Sequence, residues 1–156
     1  MHSIETQNTG DIVGLLEILE DVGKAVDIAE LDDMLDEERT TLMNLLGDAE
    51  ALELIDVTSG DVKVTELGRR FLKSGINDRR EILKEQLPNL EPFHSLMQLC
   101  RKDDKSRISK DDLFEFIGNR FPSDDNEKTF GLIITWGRYS RLIEYDSDTE
   151  EIVLLS

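Results

Sequence analysis

The sequence predicts a mainly α-helical protein with small β-hairpins, built from two tandem halves of similar plan. Apolar residues recur at helical spacing along most of the chain, beginning with residues 12–19. Two pairs of short β-prone runs, at 54–64 and 142–155, each surround a polar turn and predict hairpins. Each hairpin follows a group of helices, an order typical of a winged helix-turn-helix. We therefore predict two winged-helix-like halves.

In the first half, residues 10–75, we expect three helices, a hairpin and a fourth helix. Glycines at positions 23 and 75 are expected to end the first and fourth helices, because glycine adopts the left-handed conformation that closes a helix. The side chains expected to cap the four helix starts are Asp11, Asp27, Asp36 and Thr65. The polar residues 1–9 are expected to form a flexible N-terminus.

In the second half, residues 76–156, Asp78 and Glu81 have the spacing of a capping box and are expected to open an amphipathic helix. Prolines at positions 88 and 92 divide the following run into two helices. Two more helices precede the second hairpin. The side chains expected to cap them are Ser109 and Ser123. The boundary between the halves is expected near residue 75.

Charge is distributed unevenly along the chain, whose formal net charge is −17. Residues 1–68 carry 3 basic and 18 acidic side chains, residues 69–110 carry 11 and 6, and residues 111–156 carry 4 and 11. One interpretation is that the basic middle lies against the acidic ends and relieves their repulsion. The other is that the basic middle is a docking surface for an acidic partner. Both stay open at this point.

The arrangement of reactive side chains argues against an enzyme. The two histidines, His2 and His94, and the single cysteine, Cys100, lie on segments that assemble neither a hydrolytic triad nor a metal-ligand set. The acidic residues 146–151 lack the glycine and the ligand spacing of a calcium loop, so we expect a hairpin turn there. No glycine-rich phosphate loop is present. The sequence therefore predicts no catalytic residue, cofactor or metal.

The apolar runs are too short to span a bilayer, and the first residues lack the pattern of a signal peptide. One cysteine cannot form an internal disulfide, which also favours a reducing compartment. A cytoplasmic location without direct membrane insertion is therefore expected.

A winged helix can bind DNA or another protein, and the charge of its surface decides between these two functions. The helix in the recognition position of the first half, residues 36–51, holds one arginine and five carboxylates. Its counterpart, residues 123–138, holds two cations and three carboxylates. Because affinity for DNA comes largely from lysine and arginine on phosphates, these surfaces do not favour nucleic acid. A transcriptional regulator with an atypical DNA surface stays the alternative.

Two features are candidate sites for a protein partner: the basic middle and the sequence WGRY at 136–139. An exposed aromatic and arginine cluster suits an interface hot spot, whereas a buried one forms a corner between the last helix and the hairpin. The candidate residues are Arg69, Arg70, Arg79, Arg80, Lys84, Trp136, Arg138 and Tyr139. Changing Arg79 and Arg80 to glutamate is expected to weaken partner capture without loss of helicity. A homodimer through the terminal helices also stays open.

Several stretches of the chain, spread over residues 10–155, resemble a known family. They are DIVGLLE at 11–17, VTELGRRF at 64–71, DRR at 78–80, WGRY at 136–139 and the following Tyr145-Asp146. Together they resemble the AAA-associated C-terminal domain, which follows the ATP-binding subunit of nitrate-, sulfonate-, taurine- and bicarbonate-type ABC transporters. The resemblance implies a regulatory protein-interaction module that acts with a transporter ATPase or permease and has no catalytic residues. Whether it acts alone or attached to an ATPase stays open.

Overall fold

The computed structural model describes residues 1–35, 37–102 and 106–155. Its first half contains four helices and a three-stranded sheet. In chain order the elements are α1 (Thr9–Val22), β1 (Val26–Asp27), α2 (Ile28–Met34), α3 (Arg39–Ala51), β2 (Ile55–Thr58), β3 (Asp61–Val64) and α4 (Glu66–Lys73).

The second half repeats this plan after one additional helix. Its elements are α5 (Ile76–Gln86), a 3₁₀ turn (Leu87–Asn89), α6 (Phe93–Lys102), β4 (Arg107–Ser109), α7 (Lys110–Arg120), α8 (Asn126–Tyr139), β5 (Ile143–Asp146) and β6 (Glu151–Leu154). The expected division of the run around the two prolines is confirmed.

Two small antiparallel sheets have the same strand order. The strands are arranged β1-β3-β2 in the first half and β4-β6-β5 in the second. Both predicted hairpins are present, and a mainly α fold with small β-hairpins is confirmed. The short strands β1 and β4 were not predicted; each pairs with the last strand of its hairpin. The description of each half as a winged helix and the boundary near residue 75 stay predictions.

The two halves correspond residue by residue around each hairpin. The last residues of α3 and α8, Ala51 and Tyr139, lie 88 positions apart, as do the first residues of β2 and β5. Between helix and strand, Glu53 and Arg141 have positive φ angles of 64° and 60° and are also 88 positions apart. The same backbone turn therefore joins helix to strand in both halves.

Four of the predicted helix ends are confirmed. Side-chain oxygens of Asp27, Thr65 and Ser109 accept bonds from backbone N–H groups in the first turns of α2, α4 and α7. Gly23 ends α1 in the left-handed conformation, with φ of 73°. Helix α4 ends at Lys73, with Ser74 in the C-cap position, rather than at the predicted glycine.

Three predicted caps were wrong, because each segment offers more than one suitable position. Asn8 caps α1 in place of Asp11, and Asp125 caps α8 in place of Ser123. Helix α5 begins at Ile76, so Asp78 lies inside its first turn and caps nothing. The remaining predicted cap, Asp36, lies outside the described residues.

Buried apolar side chains of both halves join in one core, which includes Leu16, Phe71, Phe93 and Trp136. Helix α8 approaches β5 closely at Gly137, where an added Cβ would lie 2.5 Å from Cγ1 of Ile143. Among the described residues, no helix has the length and apolar character needed to cross a membrane.

Candidate protein-interaction site

Residues 2–6, which we call the N-terminal strap, run between the two halves. Ser3 forms a parallel bridge with Glu91, just before α6. The backbone N–H of Ile4 donates to the carbonyl of Glu91 at 2.9 Å, and the N–H of Glu91 donates to the carbonyl of His2 at 2.9 Å. The Ile4 side chain is only 2% exposed. The strap thus makes defined backbone contacts with the second half, while the flexibility expected of residues 1–9 stays a prediction.

Two buried side chains bind the same residue of the strap, Thr6, from opposite halves. Asp48 of α3, fully buried, accepts the backbone N–H of Thr6 at 2.6 Å and that of Glu5 at 3.0 Å. Trp136 of α8 donates its indole N–H to the carbonyl of Thr6 at 2.8 Å. Asp48 and Trp136 lie 88 positions apart and are therefore equivalent residues of the two halves. His2 adds a contact of 2.7 Å between its Nε2 and Asp48.

Trp136 therefore has a structural role. Its side chain is 1% exposed, and its single donor is already used by the strap. A partner cannot reach the indole without displacing the strap and opening the core. The structure thus places Trp136 in a buried corner, and contact with a partner at this residue stays a prediction.

Arg79 holds the end of α4. Its Nε donates to the carbonyl of Phe71 at 2.9 Å and its terminal nitrogen to the carbonyl of Leu72 at 2.8 Å. The guanidinium also lies 5.4 Å from the centre of the Phe71 ring. Since the last carbonyls of a helix have no partner within it, this arginine serves as a C-terminal cap for α4.

Arg80 connects α5 to the end of α8. Its Nε donates to the carbonyl of Tyr139 at 3.0 Å. This bond brings together two segments that the sequence suggested as separate sites, the basic start of α5 and the WGRY sequence. It also changes the expectation for glutamate at positions 79 and 80: both changes would leave helix carbonyls unpaired, so an effect on stability is expected along with any effect on capture.

Two other arginines of the basic middle form ion pairs with the acidic ends. Arg69 contacts Glu20 of α1 at 3.2 Å, and Arg107 contacts Glu151 of β6 at 3.6 Å. Both arginines are about half exposed, so each pair contributes little to stability. Together they favour the interpretation in which the basic middle neutralises the acidic ends.

Three of the predicted residues stay available to a partner. Arg70 and Arg138 are exposed and Lys84 is half-buried, and within the described ranges none of them forms an ion pair. Lys84 lies one helical turn after Arg80 on α5, and Arg138 directly precedes Tyr139 on α8. We call these two cations, each close in sequence to one partner of the Arg80–Tyr139 bond, the basic corner.

Two concave surfaces were missed by the sequence analysis. A cavity of about 740 Å³ lies between α6, β4 and α7, with Cys100 and Phe116 among its lining residues. A smaller one of about 280 Å³, which we call the α2–α3 recess, is lined by Ile28, Ala29, Asp32, Arg39, Leu42 and Met43. The sequence offered one signal for the recess: Met43 lies outside the inward stripe of α3. In the part of the chain that the structure describes, no cluster of His, Cys, Asp or Glu could hold a metal ion.

Comparison with known proteins gives one match. A family model described as the C-terminal AAA-associated domain matches residues 29–146. The match covers more than half of the chain, from α2 to β5. No curated protein and no solved structure matches the chain.

Proposed function

Because the chain belongs to the family of C-terminal AAA-associated domains, we propose that it is a non-catalytic regulatory domain that binds a protein of an ABC transporter, its ATPase or its permease, in the cytoplasm. The family match is the observation that carries this proposal. The absence of a catalytic set from the sequence analysis agrees with a role in binding.

The basic corner is the first candidate for the docking surface. Its cations are not used by internal ion pairs among the described residues, whereas Arg69, Arg79 and Arg80 are occupied inside the molecule. A partner with an acidic surface would be attracted to it, mainly through a faster association rate. The first half is strongly acidic, so such a partner would be repelled there and directed to this corner of the second half.

The DNA-binding alternative gains nothing from the positions of α3 and α8. Asp48 and Trp136 turn one side of these helices towards the strap. On α3 itself the exposed charges are Arg39 and Glu50, which balance each other, and the exposed Glu37 and Glu38 directly precede the helix. A phosphate backbone would be repelled there.

The test is a tagged pull-down from native cells after nuclease treatment, with bound proteins identified by mass spectrometry. We expect an ABC transporter ATPase or permease to be recovered. Recovery of neither, together with genomic DNA when nuclease is omitted, would contradict the proposal and support the DNA-binding alternative.

A paired variant tests the basic corner itself. Changing Lys84 and Arg138 to glutamate is expected to weaken capture at least tenfold, because two attractive charges become repulsive. The matched control changes Lys24 and Lys63, two exposed cations of the first half, in the same way. Equal capture by both double variants would exclude the corner as the docking surface.

A further inference from the structure

The α2–α3 recess has an apolar floor and an exposed apolar wall. Leu42, at its floor, belongs to the core, and Ile28 and Ala29 line the α2 side. Met43 forms part of the wall and is 46% exposed. A volume of about 280 Å³ has room for one large apolar side chain.

Exposed apolar side chains concentrate on this helix pair. Within the described ranges, the large hydrophobic residues with high exposure are Met1, Met34, Met43 and Ile76. Two of these four, Met34 at the end of α2 and Met43 in α3, belong to the helices that form the recess. Methionine side chains are flexible and polarisable and adapt to the shape of a partner.

The surroundings of the recess are acidic. Asp32 lines it, Glu30 and Asp33 lie on the same helix, and Glu37 and Glu38 directly precede α3. Arg39 is the cation among its lining residues. None of these five carboxylates forms an ion pair with another described residue. A partner that carries positive charge beside its apolar anchor would therefore be favoured.

The second half fills the corresponding place with its own side chains. Counted from the first residues of α2 and α7, Ile28 and Asp32 correspond to Lys110 and Phe114, and Leu42 corresponds to Phe130 at the spacing of 88. There the Phe114 and Phe130 rings stack with centroids 4.9 Å apart, and the Lys110 ammonium lies 5.5 Å from the Phe130 centroid. In the second half, the Phe114 ring and the Lys110 ammonium thus fill the space that corresponds to the open recess of the first half.

We propose that the α2–α3 recess binds a basic amphipathic helix of a protein partner, with an apolar side chain in the recess and lysine or arginine beside it. This rests on the proposed function and names the chemistry of the partner segment. A helix is the suitable form because the recess lies between two helices and offers no strand edge. The bound segment must therefore satisfy its own backbone hydrogen bonds, as in other helix-in-groove complexes.

The test uses the full chain and three labelled synthetic helical peptides in fluorescence anisotropy. The first has a leucine stripe and a lysine face, the second has the same composition with the stripe scrambled, and the third carries glutamate in place of lysine. We expect the first to bind at least tenfold more tightly than the second and the third not to bind. Equal affinity for the first two would overturn the proposal, because attraction to a chain of net charge −17 would then explain binding without a recess.

Matched variants locate the site. Met43→Lys is expected to weaken binding of the first peptide about tenfold. Ile76→Lys makes the same change at a residue of similar exposure, 48%, on α5 and is expected to have an effect below twofold. Equal losses in the two variants would overturn the assignment to the recess. Met43→Gln leaves the charge unchanged and removes only the apolar wall, so retained affinity in this variant would also contradict an apolar anchor.

The pull-down separates this inference from the proposed function. If the wild type and Met43→Lys capture the transporter component equally, the recess is not the docking site although the proposed function stands. If the wild type captures no such component but binds the striped peptide selectively, the proposed function is wrong. The inference that the recess binds a basic amphipathic helix then still stands.

Discussion

The two halves share one backbone plan but use it differently. At equivalent positions of α3 and α8, the first half has Asp48 and the second has Trp136, and both side chains bind the backbone of Thr6. One residue accepts the N–H and the other donates to the carbonyl. The repeated helix therefore presents one position towards the strap, and the identity of that residue decides which polar group of the strap is satisfied.

The surfaces of the halves differ in the same manner. In the second half, Phe114, Phe130 and Lys110 cover the space between α7 and α8. In the first half the corresponding space is open and rimmed by carboxylates. The second half has thus completed internally a surface that the first half keeps for another molecule, if the proposed recess is correct.

The largest expected effect on stability comes from truncating Trp136, the aromatic residue of the equivalent pair Asp48 and Trp136. Trp136→Ala should lower the free energy of unfolding by about 3–5 kcal/mol, because it leaves a cavity in the core and an unpaired carbonyl at Thr6. Trp136→Phe, which loses the donor but keeps most of the apolar volume, should cost less than half as much. Urea unfolding followed by circular dichroism measures both; equal losses would show that the hydrogen bond, not the packing, dominates.

Changing Asp48, the acidic residue of this pair, should have a smaller and more local effect on stability. Asp48→Asn replaces a fully buried acceptor of two backbone N–H groups and should cost about 1–3 kcal/mol. Hydrogen exchange should rise first at the amides of Glu5 and Thr6. Glu17→Gln on the exposed side of α1 is the matched control and should leave both unchanged. Unchanged exchange in Asp48→Asn would contradict the role given to this carboxylate.

A third change tests how closely the two helices approach their sheets. Ala49 and Gly137 are equivalent, and only the second position excludes a Cβ, which would lie 2.5 Å and 2.7 Å from two carbons of Ile143. Gly137→Ala should cost about 1–3 kcal/mol through overpacking. Gly14→Ala in α1, where no atom lies within 4 Å of the added carbon, should stabilise by about 0.5–1 kcal/mol. Thermal unfolding distinguishes the two signs.

The smallest effect concerns the hairpin turns. The backbone N–H of Thr149, then that of Asp148, lowers the pKa of Asp146 below its usual range. The equivalent position in the first hairpin is Thr58, which does not titrate. A lowered folded-state pKa gives stability that is present above the unfolded-state pKa and lost as the pH falls through the lower value. Because Asp146 is only half-buried and its partners are turn N–H groups, we expect only a slight loss on acidification.

The check for this last prediction is a comparison of unfolding curves. Wild type and Asp146→Asn should differ less in acid than at neutral pH. A difference that grows on acidification would contradict the direction of the shift.

Local patterns predicted the elements of the fold, whereas distant contacts determined the use of the candidate residues. The hairpins followed from β-prone runs around polar turns, and Gly23 followed from the helix it ends. Strand β1 has two residues, and its pairing with β3 spans more than thirty positions, so no local pattern indicates it. The same holds for the strap: Glu91 binds the backbone of Ile4 and Trp136 that of Thr6, and no pattern near the N-terminus indicates either contact.

The basic middle illustrates the limit for the candidate site. Composition identified an unusual group of cations, but it could not distinguish a guanidinium that faces solvent from one that reaches a helix end. Arg79 and Arg80 bind carbonyl oxygens of Phe71, Leu72 and Tyr139, and a backbone carbonyl has no signature in the sequence. Only the relative placement of α4, α5 and α8 assigned those arginines.

The strap has a consequence for the way this chain folds during its synthesis. The hydrogen bond between Thr6 and Trp136 joins residues 130 positions apart. The strap is synthesised before α8, so half of its binding site is missing until α8 emerges from the ribosome, and the first half can fold before the strap docks. Docking of the strap is therefore expected to be a late event of folding, and protection of residues 2–6 from a protease would report that α8 has joined the core.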